Sequence, residues 1–153
     1  MRSVKLTVLI VALGLVVPAC NPCKNLDCIT DNYYGQFRIV SAADGKDLVF
    51  GPNKVYDKDK IRFYSLKGTD TTFFQYEAIR FPQSGYDSVL AIKFYPKADI
   101  AYLQLSNSDV DTLAISYAIT QTKCCGTITE IKNFRFNNVV DIPGGKGTQE
   151  IKK

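Results

Sequence analysis

Past residue 32 the chain alternates apolar and polar side chains with a period of two, interrupted by short turns. The longest such stretch covers residues 110–120. Leu113, Ile115, Tyr117 and Ile119 fall on one side, and Thr112, Ala114, Ser116 and Ala118 on the other. Alternation this long predicts a half-buried strand. Residues 89–95, where Leu90, Ile92 and Phe94 share a face, and residues 36–41, with Phe37 and Ile39, carry the same signature. Residues 61–66, 73–81 and 100–105 are rich in β-formers. A short apolar run lies at 48–50 and a last short strand at 139–142. Turn residues separate these segments, among them Asp44-Gly45, Gly51-Pro52-Asn53-Lys54, Lys67-Gly68-Thr69-Asp70, Ser84-Gly85 and Pro96-Lys97-Ala98-Asp99. Over residues 124–136 the period slips. Ile128 and Ile131 are three apart while Phe134 and Phe136 are two apart, which predicts a bulge or short break near Glu130.

Strand-length segments recurring roughly every 8–12 residues, with no helical period, predict an all-β domain. The expected architecture is a β-sandwich, immunoglobulin-like or a similar two-sheet antiparallel arrangement, of about eight or nine short strands. Unequal segment lengths disfavour a closed barrel. Nine tyrosines and nine phenylalanines suit a two-layer core.

The first twenty residues are of a different kind. Arg2 and Lys5 precede an apolar run over residues 6–17, followed by Val17-Pro18-Ala19-Cys20. A basic head, about a dozen apolar residues and a small residue before the cut make a secretory signal peptide. The run is too short for a membrane-spanning helix, which needs about 20 residues. The cysteine directly after Ala19 resembles a bacterial lipobox, which makes Cys20 the lipid-bearing N-terminus. Acyl chains stabilise attachment by about 0.8 kcal/mol per buried CH₂. Asn21 is not the aspartate that retains some lipoproteins in the inner membrane, and no acidic export tag follows it. The expected address is the cell envelope, on an outer-membrane lipoprotein facing the periplasm. The chain then divides into signal peptide 1–19, lipidated tether 20–31, sandwich 32–143, and a tail or edge strand 144–153.

Removing Arg2 and Lys5 from the net charge of +4 leaves +2, dispersed among acidic residues with no basic block. This argues against nucleic acid. The chain has no histidine. That removes Ser-His-Asp and Cys-His catalysis and the commonest metal ligand. With Cys20 assigned to lipid, Cys23, Cys28, Cys124 and Cys125 remain, an even number in an exported chain. A bridge between adjacent Cys124 and Cys125 strains disulfide geometry. Both bonds are therefore expected to run from the N-terminal segment to the Cys124-Cys125 pair. A four-cysteine zinc site fits this spacing badly.

Asp57-Lys58-Asp59 and Asp109-Val110-Asp111 each place carboxylates at i and i+2, a spacing found in calcium loops, but neither matches an EF-hand and a solvated turn is the plainer reading. Asp57 with Glu77 or Glu130 is the available carboxylate pair for glycoside hydrolysis, with nothing to set its separation. Gly144-Gly145-Lys146-Gly147 lacks phosphate-loop spacing. No catalytic residue, cofactor or metal is expected. The tyrosines at 33, 34, 56, 64, 76, 86, 95 and 102 read first as core and cross-strand packing, and second as a stacking surface.

The segments SAADGKDLVFGPNKVY, FYPKADIAYLQLSNSDVDTLAISY and CCGTITEIKNFRFNNVVDI resemble a family of uncharacterised Bacteroidetes lipoproteins. The matching positions are Gly45, Pro96, Asp111-Thr112-Leu113, Tyr117, Cys125-Gly126 and Phe136-Asn137-Asn138-Val139. The resemblance implies a Cys28–Cys125 bridge, with Cys23–Cys124 as an additional one, and brings no activity with it. The chain thus reads as a non-catalytic interaction or structural component of the envelope, held to the membrane by its lipid, with an envelope protein or glycan as partner. A carbohydrate- or calcium-binding surface module is the alternative.

Overall fold

The computed structural model describes residues 23–24, 26–28, 31–81, 86–144 and 147–153. Cys20 and the signal peptide lie outside the described residues, as does the Ser84-Gly85 turn. The described residues form eleven strands and one 3₁₀ turn: β1 (Asp31–Asn32), β2 (Tyr34–Val40), the 3₁₀ turn (Lys58–Lys60), β3 (Arg62–Lys67), β4 (Asp70–Phe74), β5 (Tyr76–Phe81), β6 (Tyr86–Lys93), β7 (Ile100–Ser106), β8 (Asp109–Thr122), β9 (Gly126–Phe136), β10 (Val140–Pro143) and β11 (Thr148–Lys152). They build a β-sandwich. One sheet has the order β1-β9-β8-β7-β3-β4, with β10 also paired to β9, and the other has the order β11-β2-β6-β5. The strands outnumber the eight or nine expected, and two pairings, β1 with β9 and β11 with β2, are parallel.

Phenylalanines hold the two sheets together. Phe94, just past β6, lies against Phe37 of its own sheet at 6.3 Å between ring centroids. Across the interface it meets Phe134 at 5.3 Å, Phe74 at 5.4 Å and Phe63 at 6.5 Å. Most of these contacts are edge-to-face or tilted, the arrangements favoured by the ring quadrupole. Leu90, Ile92, Leu103, Leu113 and Ile151 complete the buried layer. Gly35 belongs to it for steric reasons: a Cβ there would stand 2.6 Å from the Phe37 ring and 3.0 Å from Phe134.

Four departures from the sequence reading have local causes. Residues 73–81 do not make one strand. The chain leaves the first sheet after Phe74 and enters the second at Tyr76, so that Gln75 is a corner between β4 and β5. Residues 48–50 make no strand, because the Asp47 carboxylate accepts from the backbone N–H of Val49 (2.9 Å) and Phe50 (2.8 Å), diverting donors from any ladder. Ile119 is 64% exposed rather than buried. The register of β8 and β9 shifts between Ser116 and Tyr117, leaving Lys132 as the extra residue, two positions from the expected slip. That bulge puts Ile131 and Phe134 together in the core, while Ile119 keeps the side of Leu113 and Ile115 in a part of the hairpin with no buried side chain. Within the segment read as a tail or edge strand, β11 is the edge strand of the second sheet, with Ile151 buried.

Phe94 touches four other phenylalanine rings, so Phe94→Ala is expected to destabilise the domain by about 3–5 kcal/mol. Phe94→Leu should cost less than half as much, read from urea unfolding midpoints with unchanged slope.

Candidate functional site

Disulfides join Cys23 to Cys124 and Cys28 to Cys125, with Cα–Cα separations of 5.2 and 5.3 Å. Both attach the N-terminal segment to the turn of the β8–β9 hairpin. Two such bonds are the mark of an oxidising, extracytoplasmic compartment.

The acidic pairs singled out in the sequence have different fates. Asp57 caps the 3₁₀ turn, accepting from the Asp59 N–H at 3.1 Å, and Asp59 pairs with Lys58 in solvent. Asp109 and Asp111 come together at the start of β8, with the Lys153 ammonium between them, 2.7 Å from each. The place a cation would take is filled by a side chain of the protein. The Tyr56 hydroxyl donates to Asp109 at 2.7 Å, and the Asn137 amide donates to Asp111 at 2.7 Å. Asn137 is one of two adjacent asparagines with positive φ, a backbone this residue type tolerates, in the tight turn between β9 and β10. From there its side-chain oxygen accepts the Thr112 N–H at 2.8 Å. No group of three or more metal-ligating side chains occurs among the described residues. This network is a lock, joining the end of β11 in one sheet to β8 in the other.

Burial opposes the Asp109 charge, but hydrogen bonds from Lys153 and Tyr56 outweigh it and hold the carboxyl below its ordinary pKa. Burial, with Asp109 alongside, pushes Tyr56 up to about 12. Burial would lower Lys153, yet its two carboxylates raise it.

An open groove of about 620 Å³ lies beside the Gln75 corner, lined by Tyr34, Gln75, Tyr76, Glu77, Ala91 and Lys93 among others. It continues past Gln75 and Lys93 into a second hollow of about 300 Å³ bounded by Thr72, Phe73, Tyr95 and Pro96. The fold explains the concavity. Where β4 becomes β5, the Gln75 carbonyl accepts the Lys93 N–H at 3.2 Å, pinning the corner against the end of β6. Small, buried Ala91 makes the floor. Tyr34, Phe73 and Tyr95 stand 54%, 62% and 63% exposed around it. The Lys93 ammonium sits 5.9 Å from the Tyr34 ring and 5.7 Å from the Tyr95 ring. Phe73 also ends an outward row across the first sheet, tilted against Tyr64 at 5.9 Å, with Tyr64 stacked on Tyr102 at 5.1 Å.

No protein-family model, curated protein or solved structure matches the chain.

The carboxylates weighed for hydrolysis are separated by the fold. Among the described residues Glu77 is the one carboxylate lining the groove, Asp57 caps its turn, and Glu130 is on β9 of the other sheet. Of the tyrosines, Tyr33, Tyr56, Tyr76 and Tyr117 pack against the core, while Tyr34 and Tyr95 face the groove. Tyr117 also donates to the Ala98 carbonyl at 2.6 Å and lies under the Lys97 ammonium at 4.4 Å. Of the partners of the lock, Lys153 had no linear signal, and Asn137 entered only as a position of the family resemblance, with no role attached. The groove, assembled from residues near 34, 75 and 93, had no linear signal either.

A depressed carboxyl stabilises the fold above its unfolded pKa and loses that contribution as pH falls through its folded value. A raised ammonium stabilises below its unfolded pKa and loses it as pH rises through its folded one. The lock is therefore complete between about pH 5 and pH 10. Lys153→Met, which leaves buried Asp111 without its cation, is expected to cost roughly 2–3 kcal/mol at pH 7. It should also reduce the stability lost between pH 7 and pH 3, measured by urea unfolding at both pH values.

Proposed function

We propose that this protein is a lipid-anchored component of the bacterial envelope that acts by binding, without catalysis, through the groove at the β4–β5 corner. The observation that carries the reading is the ring of exposed Tyr34, Phe73 and Tyr95 around a formed concavity. Exposed aromatics gathered in one place mark recognition surfaces, because they bury large area with little loss of conformational entropy. The disulfides and the signal-like N-terminus support an exported address, and the lipobox-like Cys20 supports attachment at the outer membrane, as in the Bacteroidetes lipoproteins its motifs resemble. An envelope protein presenting an extended segment suits a groove of this shape. The alternation of rings with Gln75, Glu77 and Lys93 favours a second reading, a glycan, whose C–H faces stack on aromatics while its hydroxyls meet polar side chains.

The Tyr34→Ala/Phe73→Ala/Tyr95→Ala variant separates binding from folding, since all three side chains are more than half exposed. With bridges intact, the wild type should retain a partner from solubilised envelope or bind purified cell-wall glycan. The variant should bind at least tenfold more weakly, with a melting temperature within a few degrees of wild type. Equal binding by both proteins would remove the groove from the reading.

A further inference from the structure

The outer half of the β8–β9 hairpin is not part of the sandwich. Residues 118–122 and 126–130 contain no buried side chain, and their ladder partners are each other and the two-residue β1. A lone two-stranded ribbon is marginal in water, yet this one is long. From Tyr117 to Thr122 it extends about 17 Å at roughly 3.3 Å per residue. Both disulfides sit at its turn. One bridge would leave the N-terminal segment free to swivel, whereas two bridges to neighbouring residues remove that rotation.

We infer that this ribbon is a stalk whose turn rests on the bilayer surface, so that the domain stands end-on with its groove raised above the membrane. The inference rests on Cys20 bearing the lipid. Cys20 is three residues before Cys23, a contour of about 11 Å at most. The Cys20 backbone therefore stays within that contour of Cys23, whose disulfide partner Cys124 in the turn is 5.2 Å farther on. The surface there is suited to a headgroup region. Lys24 and Lys123 are exposed beside the bridges, and Leu26, 55% exposed, lies between the two N-terminal cysteines. Asp27 is the acidic residue in the same segment. Exposed ammonium groups together with an exposed apolar side chain in the same stapled segment are the pattern of a contact with an anionic lipid surface. Tyr33, edge-on to Tyr117 at 6.0 Å, marks where the ribbon meets the sandwich. The groove beyond it opens roughly 20 Å from the turn. The Lys153–Asp109–Asp111 lock is at the opposite end of β8, facing away from the membrane.

The test uses the full lipidated protein in nanodiscs containing phosphatidylglycerol and a gadolinium-chelating lipid, with amide signals read by NMR. Signals from residues 122–127 should lose at least half their intensity, and those of Asn137 and Lys153 less than a tenth. Lys24→Glu/Lys123→Glu, a change of exposed side chains, should reduce the loss at residues 122–127 at least twofold. Uniform broadening, broadening strongest near Lys153, or no response to the charge reversal would overturn the inference. Mass spectrometry of the same sample separates the two layers: an unacylated N-terminus contradicts the lipid anchor itself, whereas an acylated protein without the gradient contradicts the stalk alone.

Discussion

Two disulfides on adjacent cysteines impose the constraint on which the outer part of this molecule depends. Each spans about a hundred residues, 101 for Cys23–Cys124 and 97 for Cys28–Cys125. In the loop-entropy model the first of them stabilises by about 4–5 kcal/mol. The second is different. Once Cys23 is joined to Cys124, bonding Cys28 to Cys125 closes a ring of only a handful of residues, which the same model values at roughly 2 kcal/mol. Its larger effect is orientational. It holds the N-terminal segment along the hairpin, where β1 can add its two parallel pairs to β9. The pattern explains how a ribbon with no core of its own stays formed.

The sandwich and its groove come from one feature used twice. The corner at Gln75 carries the chain from one sheet to the other, so that Phe74 on one side of it packs on Phe94 in the core. On its outer surface the same corner leaves a hollow between Tyr34, Phe73 and Tyr95. The two ends of the sandwich are tied differently. Beyond one end, at the hairpin turn, the tie is covalent and joins the N-terminal segment to the hairpin, not one sheet to the other. At the far end it is electrostatic, through Lys153 and its two carboxylates, with the Tyr56 hydroxyl and the Asn137 amide satisfying their remaining oxygens. All buried side-chain polar atoms among the described residues have a partner.

What the sequence revealed, and what it hid, follows from the range of the interactions involved. Leu90, Ile92 and Phe94 were readable as one buried face because strand periodicity is local. The slip between Ile128 and Phe134 was readable for the same reason, although the bulge proved to be at Lys132. The break at Gln75 was invisible, since a strand that changes sheets keeps its β-forming composition. Ile119 keeps the side of Leu113 and Ile115, but it lies in the outer hairpin, where no side chain is buried, and periodicity does not reveal where a strand runs past its core. The β11 strand was hard to recognise because only Ile151 in it is a buried apolar residue. The four cysteines could be grouped by covalent geometry alone. The groove and the lock unite residues far apart in the chain, and no spacing rule connects Tyr34 with Tyr95 or Lys153 with Asp111.

The central claim is that the bridges hold a coreless stalk while the phenylalanine interface holds the sandwich independently. Hydrogen exchange of the oxidised and fully reduced protein tests it most directly. The account predicts that reduction abolishes protection at residues 118–122 and 126–130, while amides of Leu90, Ile92, Leu103 and Leu113 keep theirs. Protection lost throughout on reduction, or unchanged in the hairpin, would contradict it.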